Sequence, residues 1–480
     1  MNNYYNKNGF YTIYKTDLSE KEYNKIKQDL TVSPDIKYNN FTREDKFKLY
    51  RETSKKIYIP FQYGIKNYGK CNNNYKDDSV DINIKFKGTL REPQEEIVKD
   101  IMKKFEEQGS GPVGCIIFQG TGAGKTVTSL NLLTRLKKKT LILVHKEFLM
   151  NQWKERIQQF IPEAKVGVLQ GKRVEIDNDI VIGMIQSITS GKYPDNFFDE
   201  FGTVIGDEVH HLSCKSFSKT FFKTGSKKYN IGLSATPERK DGLTKVLNWF
   251  MGDIIESKTK TKRMNNSTVR FYNVDYSLCE DYPREKLNSI GKINLASMIT
   301  EMTMREDRNN FIVDIIIDIC KDDSKKILLM SDRIEHLKYL YKVITKKTIK
   351  TVGLYIGKMK EQELKVSSQC DIILASYSMA SEGFDVPELN TLILSTPKSD
   401  ITQSIGRIFR KEHKDPLIVD ICDNHSLFIV QGYKRKRLYR SLLTDVRLLN
   451  INHVFGKDND EYRTGEDGKS THNIVEFIEE

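Results

Sequence analysis

From Leu90 onward the chain is punctuated by short, almost unbroken apolar runs: CIIF at 115–118, LILV at 141–144, IVIGMI at 180–185, TVIG at 203–206 and IGL at 231–233. Segments of helix-like texture separate them. A strand with one face in water alternates apolar and polar residues, so runs without a polar break predict strands buried on both faces. Strands of that kind, each followed by a helix, fit one arrangement: a parallel sheet between two layers of helices. The pattern lapses at the polar, basic KTKTKRMNNST around 257–268 and then resumes with KILLM at 326–330, TVGLYI at 351–356, DIILA at 371–375, TLIL at 391–394 and PLIVDI at 416–421. The prediction is two tandem α/β domains over 87–256 and 301–446, joined by a linker or insertion at 257–300. A small α+β N-terminal accessory domain, expected to bind nucleic acid or a partner, occupies 1–86 and a polar tail 447–480. A chain of 480 residues exceeds what one compact core accommodates, which agrees with this division.

Composition narrows the setting. The 77 Lys and Arg against 65 Asp and Glu leave a formal charge of +12, an excess that favours polyanionic partners, nucleic acid before membrane. The seven cysteines are scattered and never spaced C-x-x-C, which argues against a disulfide framework or a zinc ribbon and for a reducing, intracellular location. MNNYYNKNGFYTIYK at the start lacks the apolar core of a signal peptide. FIVDIIIDIC at 311–320 is too short, and too interrupted by Asp314 and Asp318, to span a bilayer.

The sharpest chemical signal is CIIFQGTGAGKTVTSLNLLTRL, a strand, a glycine-rich turn and a helix. Thr121, Gly122, Ala123 and Gly124 form a turn whose backbone N–H groups can face phosphate oxygens, and the helix N-terminus adds its dipole. Lys125 can reach the β- and γ-phosphates, and the Thr126 hydroxyl can bind Mg²⁺. Gln119 stands where the strict P-loop pattern has its first glycine.

GDEVHHLSC at 206–214 offers carboxylates, histidines and a cysteine together, as a zinc site or the magnesium corner of a nucleotide site would. Adjacent histidines on an extended chain point to opposite sides, and no second cluster completes a tetrahedral set. Asp207 instead ends a predicted buried strand, where a carboxylate faces the phosphate crevice and can hold Mg²⁺. Glu208 then stands where a base can orient water.

With these two motifs in place the sequence resembles a superfamily-2 helicase of the DExH kind. LREPQ at 90–94, LILVHKEFLMNQW at 141–153, LSATP at 233–237, SMASEGFDVPELN at 378–390 and QSIGRIFR at 403–410 are similar to that family's remaining motifs, in order. The resemblance implies two RecA-like domains with ATP and Mg²⁺ as cofactors. It assigns Gln94 to adenine and Asp385 to the nucleotide. Ser234 and Thr236 couple the nucleotide to the cleft, and Gln403 pairs with His210 on closure. Arg407 and Arg410 serve the γ-phosphate from the second domain. His145, Lys146, Gln186, Ser187 and Arg333, at or just after strand ends, match strand-contacting positions.

Within the family, the segments around 354–394 and 435–443 look like the branch that holds the phage helicase UvsW, the transcript-release helicases of poxviruses and other large DNA viruses, and, nearby, the XPB-like helicases. That branch implies a viral source and a place in a viral factory in the host cytoplasm, or in the virion. It also implies DNA as the track in preference to RNA, and RNA polymerase or other transcription and repair factors as partners. RNA as the track, or an ATP-gated clamp with little unwinding, are the competing readings. Two smaller features are expected to be structural. KRKR at 434–437 reads as the solvated basic face of a packed helix, and Arg305-Glu306-Asp307 as a charge cluster at the start of the second domain.

Overall fold

The computed structural model describes residues 3–456 apart from 35–45, 72–74, 110, 121–122, 195, 212–213, 236–240, 257–266, 282–283, 382–383, 385 and 444–445, together with 474–475. The chain divides into two compact units, 1–260 and 261–480.

The first unit is built on an eight-stranded sheet. Across it run Arg173–Val174, Val166–Gln170, Ile180–Met184, Thr140–Val144, Thr203–Gly206, Tyr229–Ser234, Val113–Phe118 and Asp253–Glu256. Every pairing is parallel except that of the short edge strand Arg173–Val174. The chain leaves Val113–Phe118, crosses to Thr140–Val144, and later fills the two places between them with Thr203–Gly206 and Tyr229–Ser234. Parallel strands open their carboxyl ends on one edge, so the loops after Phe118, Val144, Gly206 and Ser234 all gather there.

One face of this sheet is covered by helices Glu92–Gln108, Lys125–Leu136 and Glu147–Phe160, through residues such as Ile97, Leu133 and Ile157. On the other lie Cys214–Thr224, Thr244–Met251 and the N-terminal region. That region is a four-stranded antiparallel sheet (Asn3–Tyr5, Tyr11–Tyr14, Lys56–Ile59, Arg51–Glu52) with helices Glu20–Asp29 and Phe61–Tyr68. Ser19 starts the first of these helices with a reciprocal capping box to Glu22, as the S-x-x-E spacing dictates.

The N-terminal region is not separately cored, contrary to the division drawn at 86. Phe10 stacks on Phe222 at 5.4 Å, Tyr63 meets Trp249 edge-on at 5.3 Å, and the Ser226 N–H donates to the Asn8 carbonyl at 2.8 Å. Its few apolar residues complete their packing on helices that come much later in the chain.

The second unit carries a second eight-stranded sheet: Val352–Tyr355, Ile372–Ser376, Ile327–Ser331, Thr391–Leu394, Leu417–Asp423, Ser267–Asp275, Val446–Val454 and Ile474–Val475. It is parallel except for the last pair. Two expectations are corrected here. Residues 267–275, read as part of a linker, and 446–454, read as the start of a tail, are adjacent strands paired along their length. Both interleave polar residues with apolar ones, as in STVRFYNVD, so neither shows the unbroken run that marks a doubly buried strand. KRKR lies on helix Leu427–Leu442, but Arg435 points inward, donating to both Asp420 oxygens at 2.7 and 2.8 Å, while Lys434 and Arg437 are exposed. Arg305 and Asp307 form a charge cluster at a helix start, with Arg305 also paired to Asp281 at 2.9 Å. Among the described residues no helix is long and apolar enough to cross a membrane.

Behind Ile327–Ser331 lies a buried polar knot. His336 Nδ1 is 3.0 Å from Ser331 Oγ, and its Nε2 is 3.0 Å from Asn309 Oδ1. Burial, then the nearby Arg308 charge, pushes the imidazole down to about 3. The unfolded chain takes up this proton near pH 6.5 while the folded chain refuses it, so the stabilisation is complete above pH 6.5 and is lost as pH falls toward 3. Unfolding of the protein between pH 7 and 5 is expected to show a loss of about 2 kcal/mol that His336→Gln removes. Equal pH slopes in denaturant titrations of the two proteins would exclude this role.

Candidate active site

The strand Val113–Phe118 delivers Gln119 and Gly120 to the shared edge, and the next helix starts at Lys125. Gly124 caps that helix with φ +90°, a left-handed conformation that side chains resist. A Cβ there would also lie 2.4 Å from Gln94 Nε2. Gln94 is the reason the loop has no spare room. Its Oε1 accepts from the Arg91 N–H at 2.8 Å, and its Nε2 donates to the carbonyls of Gly124 at 3.2 Å and Ala123 at 3.4 Å. The residue expected to read adenine is thus also bonded to the phosphate loop.

Gln119, the departure from the strict pattern, has a structural use. Its N–H donates to the Ser234 carbonyl at 3.2 Å, and its side-chain Oε1 accepts from Thr128 Oγ1 at 3.2 Å. Its carbonyl accepts from Lys125 Nζ, also at 3.2 Å. One residue therefore ties the strand ending at Ser234 to the loop lysine and to the helix behind it.

Asp207 and Glu208 follow the strand Thr203–Gly206 on the same edge. Asp207 is buried, and Trp153 Nε1 donates to its Oδ2 at 2.9 Å. Loss of solvation, then the neighbouring Glu208 charge, pushes its carboxyl up to about 6 against the opposing pull of Trp153 and Lys125. A buried carboxylate held above its ordinary range gains by meeting a cation. Carboxylate and hydroxyl oxygens such as those of Asp207 and Thr126 are hard donors of the kind Mg²⁺ takes. Glu208 takes φ +44°, a strained conformation for a residue with a Cβ. Its carboxylate lies 3.8 Å from Lys125 Nζ and 3.4 Å from His210 Nδ1, and that same nitrogen lies 3.0 Å from Ser234 Oγ. Lys125, Asp207, Glu208, His210 and Ser234 are thus gathered at one point. Thr121, Gly122, Thr236 and Asp385 fall outside the described residues.

His145, Lys146, Gln186 and Ser187 follow neighbouring parallel strands. Gln186 Nε2 donates to the His145 carbonyl at 2.8 Å, and Ser187 Oγ accepts from the Gly171 N–H at 2.9 Å. In the second unit Arg333 is engaged by its own fold, donating to Ala296 O at 2.7 Å and Thr300 Oγ1 at 2.9 Å. Gln403 lies on the short helix Thr402–Ile405, and the turn after it carries Arg407 and Arg410. Arg407 is buried and donates to the Phe384 carbonyl, whereas Arg410 is half-buried.

Sequence reasoning missed Trp153 and the bracing by Gln119. The first had a signal in hand: Trp153 is one of only two tryptophans and closes the motif LILVHKEFLMNQW.

Residues 87–239 match the family described as the type III restriction enzyme res subunit, and residues 307–412 match the helicase conserved C-terminal domain. A protein of Acanthamoeba polyphaga mimivirus, provisionally named an ATP-dependent RNA helicase, is 36% identical over 447 residues, covering 90% of this chain and 84% of its own. One from invertebrate iridescent virus 6, provisionally named a helicase, is 29% identical over 429 residues, covering 84% of this chain and 92% of its own. Among solved structures, Mss116p bound to ssRNA and AMP-PNP is similar in fold, with a TM-score of 0.54 at 16% identity over 77% of this chain and 75% of that one.

Proposed function

The chain belongs to the superfamily-2 helicases, nucleic-acid-dependent ATPases, and from that premise we propose that it is an ATP-dependent DNA helicase or translocase serving transcription, recombination or repair in a large DNA virus. The observation that carries the catalytic part is the position of Glu208 between Lys125 and His210, beside the buried Asp207.

In this reading Lys125 and the loop up to Gly124 hold the β- and γ-phosphates, and Glu208 accepts a proton from, and orients, the attacking water. Mg²⁺ held by Asp207 and Thr126 would neutralise charge on the phosphate oxygens. Gln94 reads adenine and passes its occupancy to the loop carbonyls it already bonds. Ser234 and Thr236 couple the site to the rest of the first unit. The family resemblance assigns Arg407 and Arg410 to the γ-phosphate, Asp385 to the nucleotide and Gln403 to His210. His145, Lys146, Gln186, Ser187 and Arg333 face the track, contacting backbone without reading bases. A partner from the polymerase or repair machinery accords with the branch resemblance.

A second reading, RNA as the track, is favoured by the name of the mimivirus relative. Steady-state ATP hydrolysis with single-stranded DNA, duplex DNA or RNA at matched salt separates the two. Stimulation by DNA well above that by RNA is the expected result, and equal or greater stimulation by RNA would move the protein to the second reading. Strand displacement on a forked duplex then distinguishes an unwinding motor from a clamp. Affinity should fall with salt, log K dropping by about 0.7–0.9 per phosphate contact for each decade.

A further inference from the structure

Residues 1–71 hold 14 lysines and arginines against eight aspartates and glutamates, half of the chain's +12, and ten of its 23 tyrosines. The antiparallel N-terminal sheet sorts those tyrosines by register. Tyr11 pairs with Tyr5 on one side and Ile59 on the other, and shares the core face with Ile13 and Ile57. On the opposite face Thr12 pairs with Tyr4 and Tyr58, Tyr14 pairs with Lys56, and Arg51 pairs with Tyr58. Glu52 falls by register on the core side, where it pairs with Lys15 at 2.7 Å. Among the described strand residues no acid lies on the outer face.

That face is partly covered, since Thr12 is fully buried and Tyr58 packs against the core cluster; Tyr4 and Tyr14 lie beside them and are not part of that packing. The Tyr4 and Tyr14 rings are half-buried, outside the core clusters, and 6.0 Å apart with a 42° tilt. Lys56 Nζ lies 5.3 Å from the centre of the Tyr4 ring and 4.8 Å from that of Tyr14, and donates to the Tyr4 hydroxyl at 2.7 Å. Arg51, on the neighbouring strand, lies over the Phe222 ring at 4.7 Å, so Lys56 is the cation that stands between the two tyrosines. Rings with an interleaved cation and no acid, on the face of an antiparallel sheet, suit a ligand with flat apolar faces at the spacing of a charged backbone. Unpaired bases on a phosphodiester chain have that chemistry, whereas a duplex keeps its base faces inside the stack.

We propose that this face binds single-stranded nucleic acid, with bases stacked on Tyr4 and Tyr14 and a phosphate met by Lys56. It is a second grip on the track, outside the motor motifs. The proposal rests on the motor's track being nucleic acid and is independent of the choice between DNA and RNA.

The test uses the full chain without nucleotide and a short fluorescent oligo(dT), read by anisotropy. Replacing Tyr4 and Tyr14 together by Ala should weaken binding by at least about fivefold per ring. The Tyr4→Phe, Tyr14→Phe pair keeps both rings and should bind within about twofold of the parent, since stacking needs only the π-face. Both pairs should retain the ATPase measured without nucleic acid, which confirms that the first unit is folded. Lys56→Gln should lower the slope of log K against log salt by about 0.7. Parental oligo(dT) affinity in the Ala pair overturns the proposal, as does an equal loss on blunt duplex, which would indicate a charge effect without stacking. Either failure, alongside normal stimulation of the ATPase by DNA, leaves the motor reading intact.

Discussion

Glu208→Gln lowers ATP turnover by about 10²–10⁴-fold and leaves nucleotide affinity within about threefold of the parent. The substitution keeps size and backbone demands, including the left-handed φ, and removes the carboxylate that takes the proton. Two side effects are foreseeable. Lys125 loses a negative charge 3.8 Å away, which leaves it freer for phosphate. Asp207 loses the neighbouring charge that helps hold its carboxyl up, and drops toward the ordinary carboxylate range. Both changes favour binding of a nucleotide with its metal, so a lower turnover cannot be ascribed to weaker binding. Single-turnover hydrolysis beside titration with a fluorescent nucleotide checks it. Turnover near that of the parent would remove Glu208 from the reaction.

The largest expected effect on stability lies in the second unit. Arg308 and Asp423 are both fully buried and doubly bonded, Nε to Oδ1 at 2.8 Å and Nη2 to Oδ2 at 2.9 Å. Tyr276 donates to Asp423 Oδ1 at 2.7 Å, and Arg308 also reaches the Ser395 carbonyl at 2.8 Å. Asp423→Ala strands the guanidinium where water cannot replace the lost partner. The expected cost is about 3–5 kcal/mol, a fall in Tm of roughly 6–20 °C for a unit of this size. Replacing both residues together, Arg308→Met with Asp423→Leu, should cost much less than Asp423→Ala alone, because the penalty belongs to the orphaned charge and not to the absence of a pair. A double variant as unstable as the single one would contradict that account. Asp420 and Asp423 leave the same strand, Leu417–Asp423, toward two different buried arginines. The strand following the arginine motif is therefore fastened by charge at two points.

The sheets were legible because strands buried on both faces leave unbroken apolar runs, and the nucleotide site because phosphate binding demands glycines, a lysine and carboxylates in close order. What escaped has physical causes. Ser267–Asp275 alternates buried with half-buried residues and Val446–Val454 is mostly half-buried, so both carry polar residues that break the apolar run. Arg435 went inside an otherwise solvated basic run because Asp420, 15 positions back, waits for it, and such pairing is invisible to local pattern. The left-handed turn at Glu208 could not be anticipated either, since glutamate carries none of the usual preference for that conformation. The N-terminal boundary was drawn where composition changes, although packing ignores that change.

The last point bears on how the chain is made. Phe10 and Tyr63 emerge from the ribosome early, whereas Phe222 and Trp249, against which they pack, follow some 190 to 210 positions later. At about 5–20 residues per second these two rings wait roughly ten to forty seconds of synthesis for their partners. During that interval Phe10 and Tyr63 lack these native partners, and the nascent chain is most open to capture by chaperones or by its own kind.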